Sequence, residues 1–289
     1  MIKSKTSRFA DWLIVLVCVG LICVCLFPLL NILARSLSHV SYIIRGDVGL
    51  WPKGFTLDAY YRVFTYKQNQ WAMAWTAMLT VACVALSMFM TITCAYPLIY
   101  DKLKGRTFIN GMVLLTMYFG AGTIPTFILL NDLKMLETPW SLMLPYCLSV
   151  FNMIIMRSFL FNIPDSLRES AEIDGAGPVR ILISIYLPLS TSVIATLSLF
   201  YAVGRWNGYS DALLFIRQNR QYFPLQLLLF NIIQGTIEAE AGSGDERPPG
   251  LSQSLRAASI MFATIPILCV YPFLQRYFIA GVTLGAVKG

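Results

Sequence analysis

Charge and histidine are what this sequence has least of. Of its 289 residues, 13% are charged, 57% are hydrophobic and one is a histidine. A soluble domain carries about 25% charged residues, so an ordinary water-soluble core is excluded. One histidine, His39, cannot supply a histidine-rich metal site; at the edge of an apolar run it reads as a surface residue, and no metal site is expected. The chain has no Walker-type phosphate loop, no serine elbow, no zincin motif and no close cysteine pair. It is therefore not expected to be an enzyme or to bind ATP by itself. The seven cysteines (Cys18, Cys23, Cys25, Cys83, Cys94, Cys147 and Cys269) all lie in apolar stretches without ligand spacing, so they read as small core or lipid-facing residues. The formal charge of +7 is spread over several loops, with no basic stripe, which argues against nucleic acid as a partner.

What is present is apolar sequence in runs of about twenty residues, the length that crosses a bilayer. The expected fold class is all-α, a polytopic membrane protein with six transmembrane helices and lipid as its surroundings. The spans are expected over residues 12–34, 72–100, 108–130, 140–161, 189–203 and 257–280. The basic start, Lys3, Lys5 and Arg8, precedes a first run too long for a signal peptide and without a clear cleavage site, so it reads as an uncleaved span. Between the first two spans Thr56 can cap a short amphipathic helix with Leu57, Tyr60, Tyr61 and Phe64 on one face. The third span is interrupted by Gly120, Gly122 and Pro125. Pro224 opens an apolar piece with Leu225, Leu228, Leu229 and Ile232 on one face, too short to span. Residues 238–250 read as an exposed loop within a long outer connection, 204–256.

Positive charge sets the orientation. Lys102, Lys104 and Arg106 crowd the loop after the second span, whereas residues 131–139 carry Lys134 against Asp132 and Glu137. The amino terminus, the 101–106 loop, the 164–188 loop and the carboxy terminus are thus expected in the cytoplasm; Arg35 and Arg256 count against this. The span interiors are nearly free of ionisable groups, with Arg157 and Arg205 near span ends. Ion-driven carriers often place carboxylates inside the membrane, so an ion-coupled secondary carrier is the competing reading and an external energy source the favoured one.

The 164–188 loop is built like structure. Asp165 or Ser166 can cap a helix, and Ser166 with Glu169 has the form of a capping box. Gly175 and Gly177 can end that helix, and Pro178 suits the first turn of a second one. Ile181, Ile185 and Leu189 recur at helical spacing.

The same loop resembles the EAA motif of ABC importer permeases: Glu-Ala-Ala, three residues, Gly, nine residues, then Ile-x-Leu-Pro. Glu169, Ser170, Ala171, Gly175, Ile185, Leu187 and Pro188 stand at those positions, with Ser170 for the first Ala, and Asp174 precedes the Gly as is common there. Trp206-Asn207-Gly208-Tyr209 and the ending from Tyr277 to Gly289 are similar to the carbohydrate-uptake, maltose-permease-like branch. The resemblance implies a type I importer permease fold in a bacterial inner membrane. It implies a second permease subunit, usually a different chain, two ATPase subunits that bind ATP and Mg, and an extracytoplasmic solute-binding protein. Glu169 would touch the ATPase, Ala171 and Gly175 would allow close approach, and Ile185, Leu187 and Pro188 would anchor the second short helix. Arg205, Trp206, Asn207 and Tyr209 are candidates for the path of a sugar, although Trp206 and Tyr209 equally suit an interfacial aromatic belt. Arg217, Arg220 and Arg247, with Arg205, suit either an acidic oligosaccharide or carboxylates on the binding protein. Importers of amino acids, peptides or ions share the EAA pattern.

Overall fold

The computed structural model describes residues 5–234 and 253–269. They fall into two compact units: residues 5–70 with 229–234 and 253–266, and residues 71–228 with 267–269. The described residues are helical, and their only bridge of strand type joins Ser38 to Phe55.

The helices are α1 Lys5–Ser36, α2 Val40–Ile44, α3 Asp58–Thr65, α4 Lys67–Ala95, α5 Arg106–Tyr118, α6 Thr123–Asp132, α7 Trp140–Met143 and α8 Val150–Phe161. Then come α9 Asp165–Ile173, α10 Pro178–Leu189, α11 Thr191–Asn207, α12 Ser210–Phe215, α13 Leu225–Gln234 and α14 Gln253–Cys269. Among the described residues two helices are long and apolar enough to cross a membrane, Asp11–Ser36 and Lys67–Ile99. The number rises to four if the bent pairs α5–α6 and α10–α11 each count as one span.

In the first unit, α1 leaves Trp12, Leu16, Leu21 and Val24 exposed, the surface of a helix meant for lipid or another chain. Its end is tied down locally. Ser38 Oγ donates to Ala34 O at 2.6 Å, and Ser36 Oγ meets Tyr60 Oη at 2.8 Å. His39 is the N-cap of α2, its Nδ1 beside Ser41 Oγ at 2.9 Å. Thr56 Oγ1 accepts from Asp58 N, one position before the N-cap Leu57. The face that α3 buries is Ala59 and Val63, whereas Leu57, Tyr61 and Phe64 point outward. The amphipathic helix exists, but Ala59 and Val63 are its buried residues; of the large ones Tyr60 is half-buried and Phe64 rests edge-on against Phe262 at 4.9 Å.

The second unit departs from unbroken spans in three places. The third stretch breaks after Tyr118 and turns by 110° into α6. Gly122, at φ +85°, makes the turn, while Pro125 sits harmlessly in the first turn of α6. The expected span 140–161 is also interrupted: α7 stops at Met143, Pro145 follows, and Ser149 starts α8 by accepting from Asn152 N. α11 continues to Asn207, so Gly204 and Arg205 are helical and not the start of a loop. α13 starts where Pro224 predicts, its first N–H satisfied by Thr76 Oγ1 at 2.8 Å. The sixth expected span is described only as far as Cys269. The 238–250 loop and the ending from Tyr277 lie outside the described residues.

The core of this unit gathers Ala95, Tyr96, Leu98 and Ile99 from the end of the second span with Met153, Met156 and Leu160 of α8. Ile181 and Tyr186 of α10 and Val193 and Leu197 of α11 complete it. Half-buried Tyr100, Leu103, Ala171 and Ala176 pack against the same cluster. The basic 101–106 loop and the 164–188 loop therefore lie on one side of this unit.

Candidate functional sites: a seated helix pair and a cavity

The α9–α10 segment is held chiefly by its backbone geometry and by aromatic contacts, with one arginine among them. α9 starts after Pro164, which has no side-chain cap bond, so Ser166 and Glu169 lie inside the helix and do not form a capping box. Proline at that position supplies a fixed φ instead of a cap. The helix ends as the glycine predicts. Gly175 sits at φ +79°; Gly175 N donates to Glu172 O at 3.1 Å, and Ala176 N donates to Ala171 O at 2.9 Å. Both bonds together make a Schellman motif, which needs the left-handed residue that glycine provides. No atom lies within 4 Å of where a Cβ at Gly175 would sit, so conformation, not crowding within this chain, selects glycine there.

Tyrosines hold the segment on the second span. Tyr96 Oη donates to Pro178 O at 2.9 Å and pairs with Tyr100 Oη, and the Tyr96 ring meets Tyr186 edge-on at 5.3 Å. The Arg168 guanidinium stacks 5.1 Å from the Tyr100 ring while pairing with Asp165 at 2.9 Å. One π turn, Leu182–Tyr186, inserts a residue into α10. Burial consequently runs Ile181, Tyr186, Ser190, and not Ile181, Ile185, Leu189; Ile185 is half-buried and Leu189 exposed.

The outward side is different in kind. Glu169, Ser170 and Asp174 are exposed, as is Pro188, while Ala171 and Leu187 are half-buried. Ala171 faces the chain's own core. Ile173 is 87% exposed and Val179 69%, with Leu167 and Ile183 also bare. These exposed aliphatics on a helix pair fixed to the core are a candidate contact surface.

The second site is a cavity of about 670 Å³ lined by α4, the α7–α8 break, α11 and α12. Ligand pockets run from about 300 to 1,000 Å³. Arg205 is its centre: buried, it pairs with Asp211 through two bonds, 2.5 Å and 3.1 Å, and donates to Leu142 O and Gly208 O at 3.2 Å. A side chain at Gly208 would meet the guanidinium at 2.8 Å. Tyr201 Oη is fixed by Thr91 Oγ1 at 2.7 Å and accepts from Ser149 N at 3.1 Å. Of the four path candidates, Arg205 lines the cavity. Asn207 bonds back to Val203 O at 3.0 Å, and Trp206 and Tyr209 flank the ion pair in sequence without lining the space. Asp211, Tyr146, Asn152 and Ser87 were not singled out from sequence. The one signal for Asp211 was a carboxylate six residues after an arginine at a span end.

A third cluster fixes the connection before the cavity. Glu137 adopts φ +60°, rare for a residue with a side chain. Its carboxylate accepts from Arg217 N at 2.7 Å, from Gln218 N and from Asn219 N at 3.0 Å. Burial alone would raise its pKa, but these three N–H groups and the nearby Arg217 charge outweigh that and hold it below the usual value. Arg217 lies 5.7 Å from the Phe127 ring centre, so this binding-protein candidate also serves the chain's own packing. Arg220 is exposed, and Arg247 lies outside the described residues.

Residues 84–284 match the family model described as "Binding-protein-dependent transport system inner membrane component". The chain belongs to this family of importer permeases. Protein LplC of Bacillus subtilis (strain 168) is 38% identical to this permease over 290 residues, covering 100% of this chain and 98% of the relative. The polygalacturonan/rhamnogalacturonan transport system permease protein YtcP of the same strain is 40% identical over 272 residues, covering 92% and 93%. A crystal structure of a bacterial ABC transporter involved in the import of the acidic polysaccharide alginate matches with a TM-score of 0.86 at 29% identity. That match covers 96% of this chain and 99% of the other. The permease fold, its multi-pass membrane character and the EAA resemblance thus agree.

Proposed function

We propose that this permease is one of two membrane subunits of an ATP-driven importer of an acidic oligosaccharide. The cargo is handed over by an extracytoplasmic binding protein. The proposed topology has six spans and both termini in the cytoplasm, with the α9–α10 segment facing two separate ATPase subunits that hold ATP and Mg. The reading is carried by one observation: a Schellman-terminated helix, anchored to the end of the second span through Tyr96 and Pro178, presents bare Ile173 and Glu169 outward. A body so anchored passes a push from a docked ATPase to the second span and to α11 as displacement. ATP-driven closure and binding-protein docking then favour the same outward-open state, because each binds that state more tightly than the other state.

The acidic cargo is supported by what two relatives handle, polygalacturonan/rhamnogalacturonan for one and alginate for the other. Reconstituted uptake tests both parts. Oligogalacturonides loaded on the binding protein are expected to enter only with ATP and both ATPase subunits present. Uptake driven by a proton or sodium gradient alone would replace this reading with the secondary carrier.

A further inference from the structure

Where the second span ends, positive charge collects without enough carboxylate to cancel it. Lys102, Lys104 and Arg106 share a six-residue loop, and its one carboxylate, Asp101, pairs with Arg106. The fold brings a fourth cation to the same corner from far along the chain. Arg157 of α8 donates from Nε to Leu98 O at 3.2 Å and stands close enough to Arg106 for the two guanidinium groups to repel. Arg106 lies 5.9 Å from the ring centre of Phe161, one turn beyond Arg157 on the same face of α8. The span Lys67–Ile99 and α8 both finish here, so the corner sits at the boundary of the apolar layer.

The Arg157 side chain is half-buried. Its two terminal nitrogens bond to nothing among the described residues, and neither is sealed from the outside. The partner of Arg106 is an Asp101 carboxylate that is 85% exposed, and an exposed pair of that kind holds only weakly. Two guanidinium groups that repel each other and keep donors open match the oxygens of a phosphate. The surface next to them is apolar. α5 starts at Arg106, buries none of its residues, and leaves Phe108, Met112 and Leu115 bare on one face. Phe161 is exposed as well. A free phosphate gains nothing from such a surface, whereas an acyl chain does.

We infer that Arg106 and Arg157 form a binding site for the phosphate of an anionic phospholipid, with its acyl chains along the bare face of α5. Lys102 and Lys104 add attraction, as cations at the end of a membrane helix do for anionic headgroups. The bound phosphate relieves the repulsion between the two arginines and ties the start of α5 to α8 and to the end of the second span. Leu98 and Leu160 of those two elements belong to the core that seats the α9–α10 segment. The site depends neither on the cargo nor on the ATPase contact proposed above.

The test titrates the assembled importer, in a neutral detergent, with dioleoyl phosphatidylglycerol or dioleoyl phosphatidylcholine and reads bound lipid by native mass spectrometry. The wild-type importer is expected to bind the anionic lipid about twentyfold more tightly. Arg106→Gln and Arg157→Gln should each weaken that binding by about fourfold and leave the zwitterionic lipid unaffected. Arg157→Lys, which keeps the charge, should lose less than Arg157→Gln. Lys102→Gln/Lys104→Gln changes two exposed positions, so it should fold whatever happens to α8, with a loss of about threefold. Excess inorganic phosphate should leave the lipid in place; its displacement would overturn the lipid as the source of the phosphate. Equal affinity of the wild-type importer for the two lipids would mean that a protein carboxylate covers the cluster, and it overturns the inference. Unchanged phosphatidylglycerol binding in both Arg106→Gln and Lys102→Gln/Lys104→Gln overturns it too.

Discussion

Two regions on the same long helix, α4 and its extension to Ile99, are held by opposite chemistry. At the end of the extension, the coupling segment is seated by tyrosine hydroxyls, aromatic edges and one backbone carbonyl, and its salt bridges are short-range, Arg168 with Asp165 and Glu172. Around the middle of α4, the cavity is organised by a buried ion pair, and the connections nearby are pinned by a carboxylate that caps three N–H groups about eighty residues away. The difference teaches where each region does its work. The α9–α10 segment is seated mainly by aromatic contacts, with the Arg168 guanidinium stacked on one of the rings, and it leaves Ile173 and Val179 bare. The cavity end needs fixed polar geometry inside the chain, and charge supplies it at the cost of dependence on both partners.

The sharpest way to break the comparison is at Asp211. Asp211→Ala leaves Arg205 buried and unpaired, and a loss of about 3–5 kcal/mol in stability is expected. Removing both charges in Arg205→Met/Asp211→Leu should recover most of it, since a packed apolar pair often replaces a buried ion pair without loss. Thermal unfolding of the purified permease pair reads both; equal loss in the single and double variants would deny that the pair is the organising element.

Next in size, Glu169→Lys reverses an exposed charge on the docking surface. No change in the permease's own stability is expected, but its association with the ATPase subunits should weaken by about 2 kcal/mol or more. Co-purification and uptake measure this. Unaltered uptake would mean that this face does not carry the contact.

Gly175→Ala forces a side chain into the left-handed region and should cost about 1 kcal/mol. Gly175→Asn should cost less, because asparagine tolerates that conformation. Equal melting curves for the two variants would show that the Schellman geometry does not select the residue.

The smallest effect belongs to Glu137. Its pKa is depressed in the folded protein, so its stabilisation is fully present above the ordinary carboxylate pKa and is lost as pH falls through the folded value. Amide exchange at Arg217, Gln218 and Asn219, compared with neighbouring amides, should accelerate selectively on acidification. Glu137→Gln should abolish that pH dependence.

The coupling end was the more legible of the two in the sequence, for the same physical reason. Gly175 and Pro178 act on their own backbone within a few residues, and the EAA spacing is local, so the helix ends follow from neighbours in the chain. The errors there are also local. The Ser166–Glu169 pattern lost to a helix start set by Pro164, and a single π turn moved burial from Ile185 to Tyr186. The cavity end depends on pairs far apart: Arg205 with Leu142, Tyr201 with Thr91, Glu137 with residues 217–219. Glu137 read as a loop charge and Asp211 as part of a polar connection, because nothing near either residue shows where its partner stands. The break at Pro145 was hidden by the hydrophobicity around it, since hydropathy measures where a chain sits and not whether it stays helical.

The docking face is the claim on which the rest depends, and labelling at Ile173 tests it most directly. Ile173→Cys places a thiol at an 87% exposed position on the coupling helix, and the wild-type chain, with its seven native cysteines, gives the background. A bulky water-soluble maleimide should modify it rapidly in the permease pair alone and slowly once the ATPase subunits are bound. Equal labelling rates with and without the ATPase would contradict the account.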